Sequence, residues 1–270
     1  TVNFTGDGDD DDQAFDGVNM DWDSSSELDA VTVNISNDGT EGKEFVVYEL
    51  NLTNVLDVTI NASDIGTATG EELTIDQALD VSDAESLAIA SNSDVVLTNG
   101  IAGSDDLEDV DTSDSDAGVD LGDIIDVNAD FTLTMGDGDD TVEVTDADDD
   151  QLTIDLGAGS DTLTLDLSAG NADTSITTGA GSDTITLDDG AALATVANNG
   201  VIEDFTVGTG GDVIDLANNA AGTGITASST QTADLTAGAV TATGGLVFVQ
   251  SASTDDLTVV ANIVDLLDGT

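Results

Sequence analysis

Between Asp130 and Gly190 the chain alternates short apolar–polar runs with acidic turns. Val142/Val144, Leu152/Ile154, Leu163/Leu165 and Ile185/Leu187 each bracket a Thr or Glu, so one face of each run is apolar and the other polar. This period of two predicts half-buried β-strands. The aspartates that precede the runs, Asp130, Asp140, Asp150, Asp161, Asp173 and Asp183, follow one another at short and nearly even steps. A strand at each step suits either an antiparallel meander or a parallel solenoid in which every second strand stacks. The turns favour the solenoid. Gly136-x-Gly138, Gly157-x-Gly159 and Gly179-x-Gly181 recur on alternate steps, which in a coil puts them in one column.

The flanks carry weaker patterns. Leu73–Ile75, Leu87–Ala90 and Val95–Thr98 read as strands of an irregular continuation without glycine turns. The acidic stretch from Ile101 to Asp123 reads as a mobile loop. Near the start, two long β-type runs flank "NDGTEG", a hairpin signal, and "VLDVTINAS" supplies a third strand. Phe45, Tyr48 and Trp22 bring much of the scarce aromatic mass there. The expected architecture is therefore all-β: an N-terminal β module or cap over residues 1–65, a parallel β-roll or β-helix solenoid over 66–200 that is clearest at 130–190, and a C-terminal β cap over 201–270. Caps of this kind cover the open ends of a solenoid.

Composition changes the chemistry more than the fold. The formal net charge is −57, with Lys43 the single cation and no Arg, His, Cys or Pro. Nucleic acid and anionic lipid would be repelled. Zinc, copper and iron sites built on His or Cys, and nucleophile–His catalysis, are excluded within this chain. Oxygen ligands remain, and they suit hard cations such as calcium. Two carboxylates ~4 Å apart repel by roughly 4 kcal/mol at an effective dielectric near 20, so turns this rich in Asp need neutralising. Asp outnumbers Glu 48 to 10 and sits at turn ends, which halophilic surface adaptation alone does not explain. No apolar run approaches the ~20 residues of a membrane helix, so membrane insertion is not expected. The chain starts at Thr1 without a basic-then-apolar leader, as a mature protein or a fragment would.

The turn segments "GDGDDTV", "GAGSDTL" and "GAGSDTI" resemble the nonapeptide repeat G-G-x-G-x-D-x-U-x of RTX proteins, in which U is apolar. That resemblance implies a parallel β-roll with several calcium ions held between turns. Asp140, Asp161 and Asp183 take the place of the liganding aspartate, and Val142, Leu163 and Ile185 that of the apolar knob. Gly136, Gly138, Gly157, Gly159, Gly179 and Gly181 match the second and third glycines, while Met135, Leu156 and Thr178 replace the first. The opposite turn column carries one glycine and offers Asp150 and Asp173, with Asp146 and Asp148. The segment "VIEDFTVGTGGDVIDL", Val201 to Leu216, is similar to the one that closes many RTX rolls. There Asp212, with Asp204 and Asp215, is either a further ligand or part of a capping strand pair with solvated turns. "TGDGDDDDQAF" repeats the glycine spacing, but Asp12 stands where the knob belongs, so it reads as an acidic loop.

Other signals are bland. Asn3, Asn34, Asn51 and Asn61 begin N-x-S/T triplets in a chain rich in Ser and Thr. Thr162, Thr164, Thr184 and Thr186 would form a short outward ladder, broken by Glu143. Carboxylate pairs are unavoidable among 58 acids, and no aromatic-rich cleft accompanies them, so no enzyme is expected. The resemblance and the composition together imply a secreted, calcium-binding structural protein of the cell exterior: a surface-layer, filament, matrix or adhesin subunit. It would be exported by a type I-like route and would contact copies of itself or a cell-surface glycan. The alternative is the calcium-binding export module of a larger RTX-type secreted enzyme or toxin.

Overall fold

The computed structural model describes residues 1–6, 13–15, 18–21, 28–37, 45–63, 65, 72–103, 106–125, 130–146, 151–167, 174–188, 201–206, 211–216, 247–250 and 257–260. Among them every regular element is a strand. Successive coils run β1 (Val2–Gly6), β2 (Gln13–Phe15), β3 (Val18–Asp21); β4 (Leu28–Asn37), β5 (Phe45–Val47), β6 (Leu50–Thr53); β7 (Val55–Ser63), β8 (Leu73–Ile75), β9 (Leu79–Asp80); and β10 (Ser86–Ser91), β11 (Val95–Leu97), β12 (Ile101–Ala102). They continue as β13 (Asp109–Asp111), β14 (Val119–Ile125); β15 (Phe131–Thr134), β16 (Thr141–Asp146); β17 (Leu152–Asp155), β18 (Ala158–Gly159), β19 (Thr162–Leu167); β20 (Thr174–Thr177), β21 (Ala180–Gly181), β22 (Thr184–Asp188); and β23 (Val201–Glu203), β24 (Val213–Leu216). The chain is a parallel β-solenoid: one long sheet stacks β1-β4-β7-β10-β13-β15-β17-β20-β23, and a second faces it.

One column of the long sheet shows what builds the core. Val31, Val58, Leu87, Val110, Leu133, Ile154, Ile176 and Ile202 stand in register, one per coil, and all are buried. Burying such a side chain contributes about 1.5–3 kcal/mol. A one-residue slip would turn the whole column out to water, so the stack fixes its own register.

The second sheet changes shape along the axis. In the first coils it consists of two separate stacks, β2-β5-β8-β11 and β3-β6-β9-β12. Strand β14 joins them: Val119 and Asp120 pair with β11, and Ile124 pairs with Ile101 of β12. The register against β16 shifts between Asp120 and Gly122, the bend that lets one strand span both stacks. From there each coil has two long strands, β16, β19, β22 and β24 following one another.

Several expectations are corrected. The runs flanking "NDGTEG" do not form a hairpin: β4 lies in the long sheet and β5 in the second, each parallel to its neighbours. Their apolar faces pair better with equivalent residues one coil away than with each other. The stretch from Ile101 to Asp123 is not a loop throughout. Val110, Val119 and Leu121 within it are buried and seat β13 and β14. Upstream, β8, β10 and β11 do continue the solenoid. Downstream, β26 (Leu257–Val260) pairs antiparallel with β23, and β25 (Val247–Gln250) pairs antiparallel with β26, ending the parallel stack of the long sheet.

Three of the N-x-S/T triplets also acquire a structural reason. Asn3, Asn34 and Asn61 share one register position. Asn61 Nδ2 donates to Asn34 Oδ1 at 2.8 Å, and Asn34 Nδ2 donates to Asn3 Oδ1 at 2.7 Å. Alternate positions of stacked strands thus carry an amide ladder, with Ser36 and Ser63 in register further along the same strands.

The junction at β14 depends on close backbone approach. Gly100, at φ +68°, lies where a Cβ would overlap the carbonyl oxygen of Asp123. Gly100→Ala is expected to destabilise the protein by at least about 2 kcal/mol, from left-handed strain plus displacement of β14. Urea or thermal unfolding measures this; an unchanged midpoint would mean the junction is looser than described.

Candidate metal centre

The turn from the long sheet to the second sheet positions the acidic residues. Asp140, Asp161, Asp183 and Asp212 each immediately precede a second-sheet strand, just before the paired Thr141, Thr162, Thr184 and Val213. All four are buried, Asp161 at 1% exposure and Asp183 at 0%. They form a single interior column. Following that column backwards reaches Val119, then Val95, Leu73 and Phe45. One structural position is therefore apolar in the upstream coils and carboxylate in the downstream ones.

Each carboxylate reaches back one coil. Asp140 Oδ1 accepts from Val119 N at 2.7 Å, Asp161 Oδ1 from Asp140 N at 2.8 Å, Asp183 Oδ1 from Asp161 N at 3.0 Å, and Asp212 Oδ1 from Asp183 N at 3.1 Å. The second oxygens differ. Asp140 Oδ2 accepts from Gly136 N at 3.2 Å. Asp212 Oδ2 accepts from Thr206 N at 2.7 Å and from Thr178 Oγ1 at 3.2 Å. The Oδ2 atoms of Asp161 and Asp183 are buried with no hydrogen-bond partner.

Glycine geometry explains the difference. Gly157 and Gly179 adopt φ values of +78° and +81°. In that conformation Gly157 N donates to Asp155 Oδ1 at 3.1 Å, and Gly179 N to Asp204 Oδ2 at 3.1 Å. The amide that satisfies Asp140 is thus withdrawn from Asp161 and Asp183. The following glycines pack turn on turn: a Cβ at Gly181 would overlap the Gly159 carbonyl oxygen, and one at Gly159 the Gly138 carbonyl oxygen. Strands β18 and β21 pair at this corner, so backbone carbonyls and carboxylates line it together.

Burial without a counter-charge shows in the acidities. Burial pushes Asp140 up to about 6, against the hydrogen bonds from Val119 and Gly136. Burial, with the charges of Asp140, Asp183 and Asp139, pushes Asp161 up to about 7. Asp183 is raised to about 6 by burial and by Asp212 and Asp204. At the rung spacing of a sheet, ~4.8 Å, neighbouring charges repel by roughly 3 kcal/mol at an effective dielectric near 20.

Of the residues singled out from the sequence, Asp140, Asp161, Asp183 and Asp212 come together in one column with the six turn glycines beside them. Asp150 and Asp173, and the acidic loop at Asp10, lie outside the described residues, as do Asp148 and Lys43. Met135 and Leu156 are buried in the core, whereas the buried Thr178 faces the turn and donates to Asp204 and Asp212. One partner is not legible in the sequence: Val119, an apolar residue whose amide meets the first aspartate. Asp204, which the closing segment offered as a candidate, anchors the last turn by accepting from Thr178 N and Gly179 N. Among the described residues no three acidic side chains converge closely enough to hold a metal ion by themselves. A cation here would draw on one or two carboxylates and backbone carbonyls, and the orphaned Oδ2 atoms of Asp161 and Asp183 fit that donor set. No family model, curated protein or solved structure matches the chain.

The raised acidities fix the sign of a pH effect. Between about 4 and 7 the folded column binds more protons than the unfolded chain, so without metal its contribution to stability falls as pH rises through that window. In chelator at pH 8, Asp161→Asn is expected to raise the melting midpoint and flatten its pH dependence, whereas Asp137→Asn, an exposed turn position, leaves both nearly unchanged. Thermal melts from pH 4.5 to 8 make the comparison. Equal behaviour of the two variants would place Asp161 in contact with water.

Proposed function

We propose that this chain is a calcium-binding structural protein of the cell exterior, whose downstream coils fold when calcium neutralises the interior aspartate column. The observation that carries the reading is the pair of buried, unpartnered carboxylate oxygens on Asp161 and Asp183, stacked one coil apart between like-charged neighbours. Leaving such groups unpaired costs several kcal/mol. A hard cation supplies the missing positive charge and accepts carbonyl oxygens as well. Asp161 and Asp183, with the carbonyls of the Gly136–Gly138, Gly157–Gly159 and Gly179–Gly181 turns, would hold it; Asp140 and Asp212 bound the column, their second oxygens already satisfied by hydrogen bonds.

The charge balance supports an exterior setting. Extracellular calcium sites have dissociation constants of ~10⁻⁴ to 10⁻³ M, so they are empty in calcium-poor cytoplasm and filled outside. A site at ten times its dissociation constant adds about 1.4 kcal/mol; stacked sites are needed to set a fold. In a chain with a net charge of −57 the downstream coils would stay loose until then, which suits export. The absence of His, Cys and Arg favours a structural over a catalytic role. The same calcium screening would let copies approach one another, as a surface-layer or filament subunit requires.

Calcium titration followed by far-UV circular dichroism, with magnesium and sodium at matched ionic strength, tests the reading. The expected result is a calcium-specific gain of β signal with a midpoint between about 0.1 and 1 mM, accompanied by rising light scattering if copies assemble. Full β signal in chelator, or equal rescue by sodium, would sink it.

A further inference from the structure

We infer that the solenoid contains two units of different cation dependence, with β14 as the boundary: the coils before it fold without metal and template the coils after it. This rests on the calcium reading above and adds to it where the dependence begins.

The column that becomes carboxylate at Asp140 is Phe45, Leu73, Val95 and Val119 upstream, all buried. All four buried carboxylates of the described residues lie at Asp140 or beyond. Of the buried apolar side chains there, 27 lie between Val31 and Ile124 and 14 between Phe131 and Phe205, so among the described residues the upstream coils carry the larger core and no buried charge. The structural change coincides with the chemical one. β14 ends the paired stacks of β11 and β12, and its first residue donates Val119 N to the first aspartate. An upstream edge already in place offers Asp140 a fixed amide and offers β16 a strand to pair with. Nucleation, the costly step for non-local strand pairing, is then complete before any cation binds. In a stacked-repeat protein stability is a sum of coil and interface contributions, so the two units can separate in stability.

Hydrogen exchange with mass spectrometry on the full chain, in chelator and across a calcium titration, decides this. Backbone amides of residues 55–97 are expected to be protected in chelator and to change by less than about threefold with calcium, while those of 141–187 slow by at least about a hundredfold. Asp140→Val should move the boundary one coil, protecting β16 in chelator; Val119→Asp should make β14 calcium-dependent. Protection of both segments arising together at one calcium concentration would overturn the two-unit inference and leave the calcium reading standing. Protection of both in chelator would overturn both. Should either variant fail to fold, the wild-type exchange pattern alone still discriminates these outcomes.

Discussion

The constraint on which the downstream structure depends is a buried carboxylate that cannot be left charged and alone. Asp161 and Asp183 sit in the interior with one oxygen on a backbone amide and the other on nothing. A lone hydrophobic residue at this position would be simpler, and the upstream coils use one: Val95 and Val119 occupy the same column. The chain therefore gives up packing energy in the downstream coils and leaves the column's charge to be met by what the solution supplies. Protons and hard cations are the two candidates. The acidities near 6 and 7 mean that, at neutral pH and above, protons no longer satisfy the column fully.

Local geometry sets which oxygens are left unmet. The Gly136 amide points at Asp140 and satisfies it. One and two coils later, the left-handed glycines Gly157 and Gly179 hand their amides to Asp155 and Asp204 on the sheet side of the turn. The same sequence feature that lets the turns stack also strips the interior aspartates of a donor. Tight stacking and unsatisfied charge thus arise together, and a proton or, on the proposed reading, a bound cation would relieve the second without losing the first.

How far this is legible from the sequence varies along the chain. Between Asp140 and Asp183 equivalent positions recur at separations of 21 and then 22, and both the alternation and the glycine spacing expose the coil. Upstream the same coil is longer and uneven: the separation is 27 from Asn34 to Asn61 and 29 from Asp57 to Ser86. Corner lengths that vary in this way erase a repeat without disturbing the stack, because only strand register is energetically enforced. The hairpin reading at "NDGTEG" fails for the same reason: a turn signal is local, while the partner of β4 is a whole coil away in β7. The aspartate column is visible, but not its continuation into Val119, since nothing in a sequence marks an apolar residue as the structural equivalent of an acid.

That equivalence bears on how such a solenoid can fold at all. A uniform ladder of interior carboxylates would have every rung waiting for a cation and no edge on which to start, and loop-closure entropy would oppose each rung separately. An apolar stack ending in the amide of Val119 removes that difficulty, since the first aspartate meets an ordered donor rather than a coil. At the other end Asp212 is held by Thr206 N and Thr178 Oγ1, and Asp204 by the Thr178 and Gly179 amides. The charged rungs are consequently bounded by two self-satisfied turns. The unmet oxygens therefore fall in the middle of the column, on Asp161 and Asp183, while the hydrogen bonds at both of its ends are specified by the polypeptide alone.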